Sequence, residues 1–434
     1  MKPWLLFFLT FTPAFCWGAR ATEWSLNLDS KIEATYFPEV YGYDTNQELY
    51  KLELNPIYKW KYKDSVRFYF KPTLIANPNN NSEEERYFAD PTEAYVRYKG
   101  ETASLQVGYT IFSWGVTDGY NPLDVINPKQ YFDPLHSRKL GAPVLDYSQT
   151  FGSWDIELVY IPQNRGAILP GTESRWLPRE IFVPETPEND LVLALPDRPR
   201  YHYGTETELD DALKNNAAFR VQYHGTIIDV GLSFYEGVAA FPIIQPVVTG
   251  TILEVSPKTV IAVDPDITLN TRNYRTRHAG LAFTSNQFEF LFKLASAYNQ
   301  SLGTDPYLPG WSNDSVVGLE KQFSFDKGLL VAVLQHSFTR SQKESESNLS
   351  VSEIFRSAWM LGFRLSWSEV WTYSLSGLYD NNHGSNFYEV GVSRRFFDRW
   401  VLGLSGAFIA GESDTPLGVY EKNDSVSMTL SASF

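Results

Sequence analysis

A two-residue periodicity recurs along almost the whole chain, and it restricts the fold more than any other feature. Trp24, Leu26, Leu28, Ile32, Ala34 and Tyr36 alternate with Ser25, Asn27, Asp29, Lys31, Glu33 and Thr35. Near the other end Val426, Met428, Leu430, Ala432 and Phe434 alternate with Ser425, Ser427, Thr429, Ser431 and Ser433. Such alternation sets one row of side chains on each face of a strand. Segments of this kind fall at 23–37, 47–60, 64–75, 91–99, 102–113, 142–150, 153–161, 214–223 and 226–237. They continue at 271–285, 287–299, 313–324, 328–340, 351–367, 369–381, 385–396, 399–411 and 422–434, about eighteen in all. Every second connection is tight, as at 99–101, 151–152 and 326–327, and long connections lie between, at 114–141, 162–213 and 238–270. Strict segregation of short and long ends is the asymmetry of a sheet closed across a membrane.

The apolar rows carry their own boundary markers. Trp359, Leu361, Phe363, Leu365 and Trp367 oppose Arg356, Arg364 and Ser366, while Trp371, Tyr373, Leu375 and Tyr379 oppose Thr372, Ser374, Ser376 and Asp380. Trp and Tyr near strand ends suit membrane interfaces. The reverse register would place Arg364 in hydrocarbon, at about 2–4 kcal/mol near the midplane. After the first residues no stretch approaches the ~20 apolar residues of a membrane helix. The expected fold is therefore all-β: a transmembrane antiparallel up-and-down β-barrel of about eighteen strands, with short periplasmic turns and long extracellular loops.

The N-terminus fits that destination. Lys2 precedes an apolar stretch from Trp4 to Gly18, and Ala19-Arg20-Ala21 has the form of a cleavage site. This predicts a signal peptide over 1–21, with the barrel occupying 22–434. Cys16, the single cysteine, lies in the signal, so the barrel uses no disulfide. A net charge of −14 argues against a nucleic-acid partner. The last ten residues, SVSMTLSASF, resemble the terminal strand of bacterial outer-membrane barrels. In those proteins the final aromatic, here Phe434, belongs to the signal read by the barrel-assembly machinery.

About eighteen strands leave a lumen that wall side chains cannot fill. Arg67, Arg97, Arg220, Arg364 and Arg395 fall on the inward rows with Lys31, Lys51, Lys71, Lys293 and Arg356. Glu157 falls there with Asp29, Glu33, Glu53, Glu93, Asp155, Asp229, Glu289, Glu320 and Glu389. The two signs balance, so the wall predicts no strong ion preference. Excess acid sits in loops, as at Glu83–Glu85 and at Glu206, Glu208, Asp210 and Asp211. Such a rim would gather cations, keep the surface soluble, or bind divalent ions that bridge lipopolysaccharide.

The loop after the fifth segment reads FSWGVTDGYNPLDVINPKQYFDP from Phe112 to Pro134. Asn-Pro and Asp-Pro form turns, and Gly115 and Gly119 permit tight backbone courses. A rigid loop at a wide mouth can fold inward as a constriction or close the outer end as a cap; constriction is the preferred expectation. Asp118, Asn121, Asp124 and Asn127 would then offer polar groups, with Tyr120, Tyr131 and Phe132 as flat surfaces.

The motif W-G-x-x-D-x-x-N-P-x-D, carried by Trp114, Gly115, Asp118, Asn121, Pro122 and Asp124, is followed by Arg138 and Pro143, and then by Gly152, Trp154, Glu157 and Pro162. This run resembles Gram-negative outer-membrane porin-like barrels, distantly similar to the alginate-export type. The resemblance covers roughly 103–165 and implies an outer-membrane channel. Alginate-type pores are expected to carry arginine-rich lumens, and the balanced wall here departs from that.

A hydrolase is disfavoured: no G-x-S-x-G occurs, and the six histidines, among them His224 and His278, lack H-x-x-x-H spacing. No cofactor or metal is implied. The remaining alternatives are a plugged transporter or export barrel and a surface receptor or adhesin presenting the 162–213 loop. The favoured expectation is a passive channel for small hydrophilic solutes, seated in outer-membrane lipid and lipopolysaccharide.

Overall fold

The computed structural model describes residues 22–40, 46–177, 191–194, 196, 199–255, 259–305, 308–342, 351–413 and 415–434. The expected signal peptide over 1–21 lies outside the described residues. No helix among them is long and apolar enough to cross a membrane, which says nothing of a β-barrel.

Eighteen antiparallel strands form one sheet. They are β1 Thr22–Tyr36, β2 Glu48–Tyr62, β3 Val66–Ala76, β4 Tyr87–Lys99, β5 Ala103–Thr110 and β6 Ala142–Phe151. Next come β7 Trp154–Gln163, β8 Lys214–His224, β9 Ile228–Val238, β10 Arg275–Gln287, β11 Phe290–Leu302 and β12 Trp311–Phe325. The last six are β13 Gly328–Ser341, β14 Ser357–Trp367, β15 Trp371–Asp380, β16 Asn386–Phe396, β17 Trp400–Ala410 and β18 Ser425–Ser433. Each pairs with the next in sequence, and β1 pairs with β18 from Asp29↔Ser433 to Tyr36↔Val426, which closes the barrel. Phe434 completes the seam: its backbone exchanges two 3.0 Å hydrogen bonds with Leu28, and its ring meets Trp400 edge-on at 5.7 Å. The strand count equals the number of alternating segments in the sequence.

Burial follows the alternation. Trp359, Leu361 and Trp367 of β14, and Tyr373, Leu375 and Tyr379 of β15, are exposed on the outer face, where lipid would cover them. The rows between them point into the lumen.

Several boundaries differ from the periodicity; 91–99 begins earlier, at Tyr87, and 271–285 later, at Arg275. The segment 102–113 leaves the ladder after Thr110, because Asn127 takes the Phe112 N–H at 2.7 Å. The 351–367 and 422–434 segments start later as strands, since 351–355 and 418–423 form 3-10 turns that pack inside the mouth. The β10–β11 turn falls at Phe288 and Glu289 instead of Asn286. Both residues adopt left-handed backbone, φ 53° and 66°, as a two-residue hairpin demands, and neither residue type announces it. Short strands inside the long loops, such as 191–194, 200–203, 243–247, 250–254 and 259–263, build small sheets separate from the barrel sheet.

With strands ~4.8 Å apart and tilted ~40°, an eighteen-stranded barrel is roughly 36 Å across between backbones. What fills that space decides the function.

Candidate functional site

Residues 111–141, joining β5 to β6, fold into the barrel. Three apolar contacts seat the segment on the wall. Phe112, Trp114 and Ile126 pack on Ala142, Val144, Val159, Ile161, Ala218 and Tyr235. Leu123 inserts among Ala282, Ala295 and Ala297, where inward residues are small. A side chain at Gly280 would collide with Leu123, so this glycine makes the socket. Tyr120 stacks on Phe355 with rings 4.6 Å apart and 8° from parallel.

Polar contacts fix the course. Asn127 donates to the carbonyls of Thr110 and Leu140, at 2.8 and 2.9 Å, holding the base of the segment shut. Asn121 accepts the Leu123 N–H at 3.1 Å, and a side chain at Gly115 would displace it. Asp124 pairs with Lys139 at 2.7 Å. At the far wall Asp118 accepts from Lys293 Nζ of β11 at 2.7 Å and from Gln335 Nε2 of β13 at 3.0 Å, while the Gly119 N–H donates to Gln335 Oε1. Lys293 also bonds Glu320 at 2.8 Å. Leu123→Ala is expected to weaken this docking by about 2–5 kcal/mol. Amide exchange across 115–127, measured in detergent-solubilised barrels, should quicken accordingly.

The returning half, 129–139, is a hairpin that crosses to the opposite arc. Arg138 forms a two-pronged pair with Glu53 of β2, at 2.9 and 2.5 Å. His136 bonds Asp133 at 2.8 Å and lies 3.6 Å from Glu389 of β16. These two carboxylates hold its imidazole protonated, with the pKa raised to about 10. Tyr131 is buried against Phe241, rings 5.2 Å apart, and its N–H donates to Ile168.

Across the outer end of the same arc runs 171–177. The Gly171 N–H donates to Glu85 at 2.8 Å; Arg175 donates to Asn423 at 2.8 Å and lies over Phe37 at 3.4 Å from the ring centre. Between this roof, the hairpin and the walls of β1, β2 and β16–β18 a cavity of about 420 Å³ remains.

The candidate residues read from the sequence therefore divide. Asp118, Asn121, Asp124 and Asn127 serve to hold the inward segment, and of these Asp118 stays exposed to the lumen. Tyr120 and Tyr131 are packing residues, not free flat surfaces. Arg220 pairs with Glu157 at 3.2 Å beneath Trp114, and Arg97 donates to Gln106 at 2.7 Å. Arg67, Arg364 and Arg395 are exposed near the short-turn rim and form no ion pair among the described residues. Sequence reasoning did not single out Glu85, Gln130, Arg175 or the His136–Glu389 contact, because nothing local distinguishes them from other loop residues. Arg138, noted only within the matched run, is the principal anchor of the hairpin.

No protein-family model matches the chain, and no curated sequence matches it. The fold is nonetheless shared. Pseudomonas aeruginosa OccK2 (OpdF) superposes over 95% of this chain and 98% of its own, at 11% identity and a TM-score of 0.53. The chain shares the closed antiparallel β-barrel fold of that protein. Similar solved structures also include P. aeruginosa OccK11 (OpdR), at 8% identity, 95% and 96% coverage and TM-score 0.49. A Rhodopseudomonas blastica porin triple mutant gives 11%, 95%, 100% and 0.40. The fold agrees with the porin-like resemblance of residues 103–165.

Proposed function

We propose that the protein is an outer-membrane channel for passive diffusion of small hydrophilic solutes, with its bore set by the inward 111–141 segment. The observation that carries this reading is a segment latched to β2, β11, β13 and β16 inside a barrel whose walls cannot close it. The path lies beside the segment, along β16–β18 and β1–β3. Size exclusion at that gap and local charge would select solutes, with no chemical step. Outer-membrane lipid and lipopolysaccharide would contact the outer face, and Phe434, at the seam, would be read by the barrel-assembly machinery. Acidic loops at one end and the unpaired arginines at the other oppose each other, so selectivity is weak.

Single-channel recording of refolded protein in a planar bilayer tests this. Steady open steps are expected, with a reversal potential in a salt gradient showing mild cation preference. Folded barrels that pass no current would overturn the channel and favour a plugged transporter or a receptor.

A further inference from the structure

The outer face of the barrel is uneven in charge. At the long-loop ends of most strands the outward side chains are aromatic, as at Tyr36, Tyr50, Tyr379, Tyr388 and Phe408. Among the described strand residues at those ends, three outward side chains are basic, and all fall on one arc: Arg275 and Arg277 of β10 and Arg340 of β13. The register puts them on the lipid side. Arg277 lies between Glu236 and Gln300, two residues from Ala279, which sits between the exposed Phe234 and Tyr298. Arg340 lies opposite Asn313, itself opposite Tyr298.

These arginines outnumber their carboxylates. Glu236 accepts from both on β10, from Arg277 at 3.0 and 2.8 Å and from Arg275 at 3.4 Å. Arg275 spends its other nitrogens on the carbonyls of Lys214 and Asn215. Arg340 is exposed and forms no ion pair among the described residues. Three arginines against one carboxylate leave the outward face of this arc positive. In the loops above, Asp211 holds Lys214 at 2.7 Å and Asp305 holds Arg272 at 3.0 Å, while Glu208 accepts the Leu213 N–H and Asp210 stands beside Gly303.

Between and below the arginines the surface is amphipathic. Tyr298 and Trp311 stack with rings 6.3 Å apart, Gln300 and Asn313 add amides, and the Ser296 and Ser315 hydroxyls meet at 2.8 Å. Lower on the same face Val317, Leu334 and Phe338 are exposed to hydrocarbon. An arginine on the lipid side costs about 2–4 kcal/mol at the midplane and about 0–1 near the interface, so this row belongs at headgroup level. A guanidinium fork there suits a phosphate. Three strand spacings, about 14 Å, separate β10 from β13. A headgroup with a phosphate at each end of a disaccharide spans such a gap.

We propose that the outward arc from β10 to β13 docks one diphosphorylated glycolipid, the lipid anchor of lipopolysaccharide, with Arg277 and Arg340 on its phosphates. The site rests on the outer-membrane placement that the channel reading uses, but its occupancy is measured without current. Native mass spectrometry of the refolded full chain in detergent would be titrated with diphosphoryl lipid A, monophosphoryl lipid A and phosphatidylglycerol, each with EDTA present.

One diphosphoryl lipid A is expected to bind per barrel, at least tenfold more tightly than either comparator. Arg277→Gln and Arg340→Gln should each weaken it about tenfold, the loss of one charge-assisted contact. Arg394→Gln, on the outward face at the short-turn end over Trp371 and Phe396, should leave it unchanged. If Arg277→Gln does not fold, judged by heat-modifiable migration, Arg340→Gln carries the test alone. Equal binding of the comparators, wild-type affinity in both folded variants, or an equal loss in Arg394→Gln would each overturn the site. So would binding that EDTA abolishes, which would assign the lipid to cations bridging the loop acids. A barrel that conducts KCl without binding lipid A loses this site and keeps the channel. One that binds lipid A without conducting keeps the site and loses the channel.

Discussion

Excising residues 115–139 and bridging the gap with a short glycine-serine turn is expected to raise single-channel conductance by about threefold or more, because a bare eighteen-stranded wall leaves a wide water path. The cut is local in space. Thr110 and Ala142 are neighbours in the β5–β6 ladder, so the two ends already face each other. The wall itself is held by its own strand pairing from β1 to β18, and the segment adds contacts only on the inside. Unchanged conductance in the folded deletion variant would show that the path does not run beside this segment.

A second large effect should come from pH at the outer roof. Glu85 sits in the four-residue helix 83–86, outside the spanning strands, with its side chain buried. Burial pushes its pKa up to about 7, partly offset by the Gly171 N–H and by Ser174 and Asn80. A carboxyl whose pKa is raised on docking binds its proton more tightly in the docked state. Docking is therefore strongest below the ordinary value near 4.5 and weakens as pH rises through about 7. Segment 171–177 should release over that window, and conductance should climb between roughly pH 5 and 8. Glu85→Gln fixes the neutral form and is expected to flatten the climb.

The imidazole of His136 has the opposite chemistry and the same sign on docking. Its contribution is complete below about 6.5 and is lost only as pH rises through about 10, so the hairpin stays docked while the roof releases. A climb that persists in Glu85→Gln would transfer the effect to another group.

Much of this architecture is written in short-range pattern. A strand's two faces are set by neighbouring residues, so the alternation of Trp24, Leu26 and Ile32 with Ser25, Asn27 and Lys31 already states which side meets lipid. The tight and long connections state which ends lie together. Strand number follows from counting, and strand number implies an unfilled bore. Even the inward turn of the 112–134 loop is suggested by its prolines and Asx residues, which make it stiff.

What the loop does once inside is a matter of partners far away in the chain. Asp118 meets Lys293 and Gln335 across separations of 175 and 217 residues, and Arg175 meets Asn423 across 248. No local periodicity encodes such pairs. Tyr120 reads as an exposed platform until Phe355 is seen lying flat against it, and Glu85 reads as one of three surface acids until the Gly171 backbone is seen covering it. Sequence alone determined a closed, polar-lined, lipid-facing barrel, because each strand's choice is made residue by residue against its nearest neighbours. Only the tertiary structure decided how narrow the bore is and which polar atoms face it, because those depend on which wall positions the curvature of the barrel brings within reach of the folded loop.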